Sequence, residues 1–491
     1  GHATQVGPPS ERTSISAPQA RAGALSAGRT HIIRVCNRKS SCKKPWLSPY
    51  PHATLPAHMP TKNQTFTGAI MVRGKGTGFV PVPNEDKDLV IPREQLNFAL
   101  DGDIVEVEVL KVKPGQKPEG KVVNVVEPKW QEFIGTVKEK EIDGTKRRYL
   151  SPDNRRHYIR PLLLDTPFTD VGKKVVVKLK NWKNPQTDPT GEVIEVLGKA
   201  GDHETEMQAI IRAGGFTKGF PVPVQEMAQT LHKTKESIFE AAIADPKRRD
   251  MRGTMTCTID PADAKDFDDA LSFKEIGNGN YEIGIHIADV SHYVRENDPI
   301  DKEAQSRATS VYLVDRVIPM LPEVLSNDLC SLRPNEDRLA FSAIFELSPT
   351  GGIKSEWFGQ TIIHSDRRFS YEEAQQILDE GSGDYHHELS IMMSIGRHLR
   401  EQRYQDGAIA FEQPEVKFKL DENGKPIDVI TKVRTETMMM IEDYMLLANK
   451  RVSEHIYKLG KNKQKELAFI YRIHDVPDPE KIEELAISCA P

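Results

Sequence analysis

Thr256-Cys257-Thr258-Ile259-Asp260-Pro261-Ala262-Asp263-Ala264-Lys265-Asp266-Phe267-Asp268-Asp269-Ala270 is the stretch from which the rest of the chain is read. It sets five aspartates, Asp260, Asp263, Asp266, Asp268 and Asp269, within ten positions. A β-like run from Thr254 to Ile259 leads in, and Ala270-Leu271-Ser272-Phe273 leads out. Carboxylates this dense repel one another and cost stability unless a cation sits among them. Hard divalent ions such as Mg²⁺ take oxygen ligands of this kind, and two-metal sites hold their ions roughly 3.5–4 Å apart. An acidic solvated loop is the plainer reading of such a cluster. The apolar, strand-like flanks favour the metal, because a solvated loop has no need of them. The D-x-[DN]-x-[DN]-G spacing of an EF-hand calcium loop is absent.

Around this stretch lie 491 residues, 38% hydrophobic and 7% aromatic, enough for several domains with a sizeable core. No apolar run approaches the ~18 residues of a membrane span. The five cysteines, Cys36, Cys42, Cys257, Cys330 and Cys489, are scattered and lack CxxC spacing. That pattern argues for a reducing compartment and against a zinc site or a disulfide framework. The net charge of −5 is unevenly spread: residues 1–60 carry eight Lys or Arg against one acid, residues 61–200 carry 24 against 20, and the remainder 35 against 51. A basic front before an acidic half suits a protein that captures a polyanion and passes it to metal ions.

Residues 1–60 are rich in Ser, Pro, Ala and Arg and show no sustained hydrophobic period. The composition is that of an organelle transit peptide, but the chain opens on Gly and Met59 begins the first orderly segment. A disordered, non-native or upstream-translated leader is the preferred reading. From Phe66 to Val126, short strands are broken by Gly and Pro, and Ile104 to Val109 alternates apolar with acidic residues as a half-buried antiparallel strand does. About five strands in so short a span predict a small closed barrel. Gly76-Thr77-Gly78-Phe79-Val80 and the Leu96 to Val105 stretch resemble the signatures of a cold-shock-type OB domain. In such a domain Arg73, Lys75 and Arg93 with Phe79 flank a groove where bases stack and phosphates meet cations. Phe79 as plain core is an equal alternative.

A second copy follows. Phe133-Ile134-Gly135-Thr136-Val137 parallels Phe66 to Ile70, and Gly172 to Val177 parallels Gly102 to Val107. This copy holds a basic cluster of Lys146, Arg147, Arg148, Arg155, Arg156 and Arg160. The predicted organisation is a leader at 1–60, OB domains at 64–127 and 128–198, a helical connector at 199–250, and a third, α+β domain from 251 to 491. In the connector, helices are expected over Glu204 to Gly214 and Val224 to Ala244. Beyond the aspartates, strands are expected around Tyr281 to Val290, Ser310 to Val314, Leu339 to Leu347 and Lys354 to Ile363. Helices are expected at Asp298 to Ala308, Tyr371 to Leu378, His387 to Tyr404, Glu436 to Leu459 and Pro479 to Ala486. His286 and His292 read as structural more readily than as ligands beside so many hard oxygen donors.

The aspartate stretch resembles, almost letter for letter, the catalytic motif of the ribonuclease II / ribonuclease R (RNB) family. His286-Ile287-Ala288-Asp289-Val290-Ser291, Val311-Tyr312-Leu313, Ile318 to Pro322, Leu325 to Leu332, Tyr371 to Ala374 and Ile441 to Asn449 resemble further blocks of it. The likeness runs from about residue 65 onward and lies nearest to ribonuclease R. It implies two tandem all-β OB/cold-shock barrels followed by an α+β RNB catalytic domain, and a processive 3′→5′ exoribonuclease that cuts single-stranded RNA to nucleoside 5′-monophosphates. Carried over position by position, Asp260, Asp266, Asp268 and Asp269 bind Mg²⁺, with Mn²⁺ as a substitute, and position the attacking water. Asp263 falls at a position the family does not require. Tyr312 stacks on or braces the 3′-terminal nucleotide, while Tyr371 and Glu442 line the end of the channel. Phe79, Arg73, Lys75, Arg155 and Arg156 complete the expected RNA-binding set. The resemblance also implies a cytoplasmic monomer, with no membrane partner. A T-S-P-I-R-R-Y-like block and an S1 domain would follow Pro491, so the expectation is a C-terminally truncated form. The competing expectation is an RNA-binding protein whose nuclease domain is inert.

Overall fold

The structure is a computed structural model. It describes residues 61–491 except Lys75, 84–87, 113–116, Gln131, Asp143, 165–169, Lys218, 410–414, 463–466, 472–478 and 489–491. The leader at 1–60 and the groove candidate Lys75 therefore lie outside the described residues. Two compact units divide the chain between Lys218 and Gly219.

The first unit contains both β modules. Strands β1 (Thr65–Ala69), β2 (Met71–Arg73), β3 (Thr77–Val80), β4 (Leu89–Ile91), β5 (Ile104–Lys111) and β6 (Glu119–Glu127) form one sheet in the order β1-β5-β6-β4-β3-β2. Val105, Val107 and Val109 of β5 are buried while their neighbours are not, as the alternation predicts. The two ends of that order, β1 and β2, are consecutive in the chain across Ile70 alone, so the strands wrap round on one bent segment as the expected barrel does. At the bend Ile70 keeps its partners in the approach to β5: its N–H donates to the Asp103 carbonyl (2.9 Å) and its carbonyl accepts from Gly102 (2.7 Å).

The second module closes as well. Strands β7 (Glu132–Ile142), β8 (Thr145–Pro152), β9 (Leu162–Leu163), β10 (Lys173–Asn181) and β11 (Thr190–Lys199) form a barrel in the order β10-β11-β9-β8-β7. Phe133, Val137, Leu150, Ile159, Val175 and Val177 fill it, and Leu100 of the first module is buried among them. Trp130 Nε1 donates to the Asp101 carbonyl (2.6 Å) and the Tyr158 hydroxyl to the Ala99 carbonyl (2.9 Å), closing the seam. Helix α1 (His203–Ala213) belongs to this unit, where Glu206 pairs with the buried Lys174 at 2.7 Å.

The second unit opens with α2 (Val222–Lys233) and α3 (Lys235–Ile243), which break at Thr234 where one helix was expected. The helical connector is thus shared between the units. Then come β12 (Arg249–Asp250), β13 (Met255–Asp260), β14 (Asp269–Glu275), β15 (Tyr281–Ala288), α4 (Val290–Tyr293), α5 (Pro299–Arg307), and the paired β16 (Val311–Tyr312) and β17 (Val317–Ile318). Strands β18 (Asp337–Leu347), β19 (Ile353–His364) and β20 (Arg367–Ser370) lead to α6 (Tyr371–Glu380) and α7 (His386–Gln405). A hairpin of β21 (Glu415–Leu420) and β22 (Pro426–Lys432), which sequence reading missed, precedes α8 (Glu436–Asn462) and α9 (Pro479–Ser488).

Seven strands form one mixed sheet, β12-β19-β18-β15-β14-β13-β20, with only the β12–β19 and β13–β20 pairs parallel. One apolar cluster joins Ile259, Leu271, Ile283, Phe345 and Phe369 of the sheet to Met392, Ile395, Met440 and Tyr444 of α7 and α8. Another joins Ile344 and Ile362 to Val224 and Ala228 of α2 and Ile300 of α5. Apolar contacts on both sides explain why these strands read as near-continuous hydrophobic runs. Among the described residues no helix is long and apolar enough to cross a membrane.

Candidate active site

Strands β13 and β14 pair antiparallel from Met255↔Phe273 to Cys257↔Leu271, then part. Residues 261–268 span the gap, with Asp260 ending one strand and Asp269 starting the other. The loop is pinned along its length. Arg368 Nη2 donates to the carbonyls of Pro261 (2.9 Å) and Ala262 (2.8 Å). The buried Ser331 hydroxyl accepts from Phe267 N–H (3.0 Å) and donates to the Lys265 carbonyl (3.1 Å). Leu332 N–H donates to the Phe267 carbonyl (2.8 Å) and Ala288 N–H to that of Asp268 (2.9 Å). The loop backbone that carries the acids is therefore held at both limbs.

The electrostatics follow from crowding. Burial, reinforced by the Asp269 charge and opposed first by the Thr258 hydroxyl and then by Arg368, pushes the Asp260 carboxyl up to about 7. Desolvation, then the Asp266 and Asp269 charges, pushes Asp268 up to about 6; this residue keeps an open surface but is walled by protein elsewhere. Burial takes Asp269 to about 6. Oδ2 of Asp260 is buried without a hydrogen-bond partner. Asp263 is different: its side chain is 77% exposed, and its neighbour is Lys417 at 3.9 Å. An all-carboxylate donor set with an orphaned buried oxygen fits a hard divalent cation. Among the described residues no three His, Cys, Asp or Glu side chains converge as a ready-made metal cluster, so the carboxylates would have to draw together around an ion.

Two tyrosines flank the cradle. The Tyr312 hydroxyl donates to Asp266 Oδ2 at 3.4 Å while the side chain stays exposed. Tyr371 is the first residue of α6, and its hydroxyl is raised by burial and then by the charges of Asp269 and Asp260. Glu442 on α8 pairs with Arg434 instead, and among the described residues no hydrogen bond or ion pair joins it to the aspartates. His286 is fully buried, bridging Ser342 Oγ (2.7 Å) and Ser272 Oγ (2.8 Å), and burial drops it to about 3. It is structural, as expected. His292 Nδ1 lies 3.1 Å from Arg248 Nη2, beside the buried Arg248–Asp289 pair. Sequence reading missed Arg368 altogether and quoted Ser331 only as part of a matched block.

In the first unit, Phe79 is half-buried rather than core. Arg73 lies 5.6 Å from its ring centroid and Lys117 also 5.6 Å, so cations already cover the ring. Arg155 is exposed. Arg156 is engaged with the buried Asp101 across the seam at 3.5 Å, which makes it a link between modules as much as a groove cation.

An OB-type pair ahead of an α+β domain with an aspartate cradle defines a class of nucleases, and comparison with known proteins agrees. Residues 68–125 match the Ribonuclease B OB domain, 149–221 the Cold shock domain and 248–490 the RNB domain. The chain belongs to the RNB ribonuclease family. It is similar to Ribonuclease R 1 of Lactococcus lactis subsp. lactis, 36% identical over 434 residues that cover 85% of this chain and 52% of the relative. Ribonuclease R of Thermotoga maritima is 33% identical, with 82% and 56% covered. The solved Mycoplasma genitalium RNase R in complex with ribose methylated single-stranded RNA superposes with a TM-score of 0.76 at 27% identity, covering 86% of this chain and 65% of that one. The chain spans about half the length of the curated relatives it matches.

Proposed function

We propose that this protein is a Mg²⁺-dependent exoribonuclease that degrades single-stranded RNA processively from the 3′ end and releases nucleoside 5′-monophosphates. The observation that carries the proposal is the pinned loop in which Asp260, Asp268 and Asp269 all resist ionisation while Asp260 Oδ2 lacks a partner. Asp260, Asp266, Asp268 and Asp269 would hold Mg²⁺, or Mn²⁺ in its place. When bound, such ions supply an activated water and neutralise charge on the phosphate as it is displaced in line. The protein's own share is positional. Tyr312 orients Asp266 through its hydroxyl and offers an exposed ring to the terminal nucleotide. Tyr371 narrows the site beside Asp260 and Asp269. The Arg73–Phe79–Lys117 cluster and the exposed Arg155 suit capture of a single strand upstream, with preference for RNA coming from ribose 2′-hydroxyl contacts. The proposal includes a monomer in the cytoplasm, where the free, buried Cys257 and Cys330 fit a reducing compartment.

A second reading, an RNA-binding protein with an inert nuclease domain, draws on the Arg73–Phe79–Lys117 cluster and the exposed Arg155, which would serve capture of RNA without turnover. Incubating the purified chain with 3′-tailed, end-labelled RNA and Mg²⁺ separates the two. Mononucleotide release that disappears in Asp268→Asn supports the enzyme; tight, salt-sensitive binding without product overturns it and leaves the binder.

A further inference from the structure

We infer that Arg368 is a positioning residue for the aspartate cradle, an inference that rests on the nuclease reading above. Strand β20 runs parallel to β13 with Arg368 in register with Thr258, which delivers the guanidinium to the loop that leaves Asp260. One nitrogen of that guanidinium serves two consecutive carbonyls, those of Pro261 and Ala262, at 2.9 and 2.8 Å. Its Cζ also lies 5.6 Å from the centroid of the buried Phe267 ring. Phe267 is in turn held through its N–H by Ser331. The early limb of the loop is thus gripped by Arg368, the late limb by Ser331, and the Phe267 ring lies between.

A fixed positive charge beside a cation site opposes metal binding by simple Coulomb repulsion. Its placement here is explained by shape: Nη2 bonds two carbonyls while the rest of the rigid, planar guanidinium lies beside the Phe267 ring, whereas a lysine ammonium is a compact point charge on a flexible stem and does not fix the loop in the same way. Arg368 thus holds the segment that leaves Asp260 at its first two carbonyls, before the loop reaches Asp266. Charge and clamp make opposite predictions. Loss of a mere charge tightens metal binding, whereas loss of a clamp weakens it.

The test uses the full chain and two variants, Arg368→Ala and Arg368→Lys. Amide hydrogen exchange without metal reads the loop itself. Exchange at Ala264, whose N–H donates to Pro261, and at Phe267 should quicken about tenfold or more in both variants. Mn²⁺ binding, followed by electron paramagnetic resonance, should weaken by about 10–100-fold in both, the range for loss of an outer-shell support. Unchanged exchange overturns the inference. So does Mn²⁺ binding that tightens in the Ala variant and holds in the Lys variant, which would make the arginine only a charge. If Arg368→Ala fails to fold, Arg368→Lys carries the test. Should the unaltered protein bind no Mn²⁺, the metal reading falls, and exchange alone decides the role of Arg368.

Discussion

Asp260, the last residue of β13, lies in register with Ser370, the residue that caps α6. Ser370 Oγ accepts from Glu373 N–H at 3.0 Å, and the Glu373 carboxylate accepts from Ser370 N–H at 3.4 Å, a complete capping box. The start of a helix, and Tyr371 with it, is thereby tied to the edge of the aspartate cradle. Ser370→Ala should cost about 1 kcal/mol of unfolding free energy. It should also lower kcat on RNA more than it raises KM, because Tyr371 loses its anchor. Urea titration and steady-state kinetics on one preparation check both; a variant with normal kcat separates the cap from the site.

Removing a cradle carboxylate should stabilise the metal-free protein. Asp260 titrates near 7 in the fold against about 3.9 in the unfolded chain, so the folded state binds more protons between those values. Its favourable contribution is complete below about 3.9 and is lost as pH rises through about 7. At pH 8 without divalent ions, Asp260→Asn should gain on the order of 1–3 kcal/mol. Addition of Mg²⁺ should reverse the order, since only the parent has the full ligand set. Melting curves with EDTA and with Mg²⁺ read the crossing.

His286 runs the other way. Burial holds it near 3, so between about 6.5 and 3 only the unfolded chain takes up the proton, and stability from this group falls as pH falls. Since the aspartates gain in the same window, the comparison is between parent and His286→Gln. From pH 7.5 to pH 5 the parent should lose about 2 kcal/mol more than the variant, by urea unfolding at each pH. At pH 7.5 the variant should be the weaker, having disturbed the bonds to Ser272 and Ser342.

Tyr312 is 63% exposed, so its ring contributes little to folding. Tyr312→Ala should leave the melting temperature within a degree or two and weaken single-stranded RNA binding by about 1–3 kcal/mol, the range for one base on an aromatic ring. Tyr312→Phe should restore binding but not the bond to Asp266. Fluorescence anisotropy with a short oligoribonucleotide in EDTA measures both without turnover.

The parts of this molecule that could be read in advance are those encoded locally. The Val105-Val107-Val109 alternation announces a strand, and five aspartates between apolar flanks announce the cradle. The grip on that cradle was not legible. Arg368 and Ser331 come from distant segments, and nothing local says that β20 runs beside β13. Likewise Ile70 looks like mid-strand, and only the structure shows it as the bend through which one chain segment serves both ends of the first barrel. The β21 strand of the hairpin was legible, since Glu415-Val416-Lys417-Phe418-Lys419-Leu420 alternates apolar with charged residues as a strand does, and it went unread. Arg156 was placed in a groove by its charge, and its pairing with Asp101 needed the second module in place.

Leu100 belongs by sequence to the first module and by burial to the core of the second. A side chain lodged in a neighbour's interior couples the folding of the two modules: cutting the chain between them would leave a hole in one and a stranded leucine on the other.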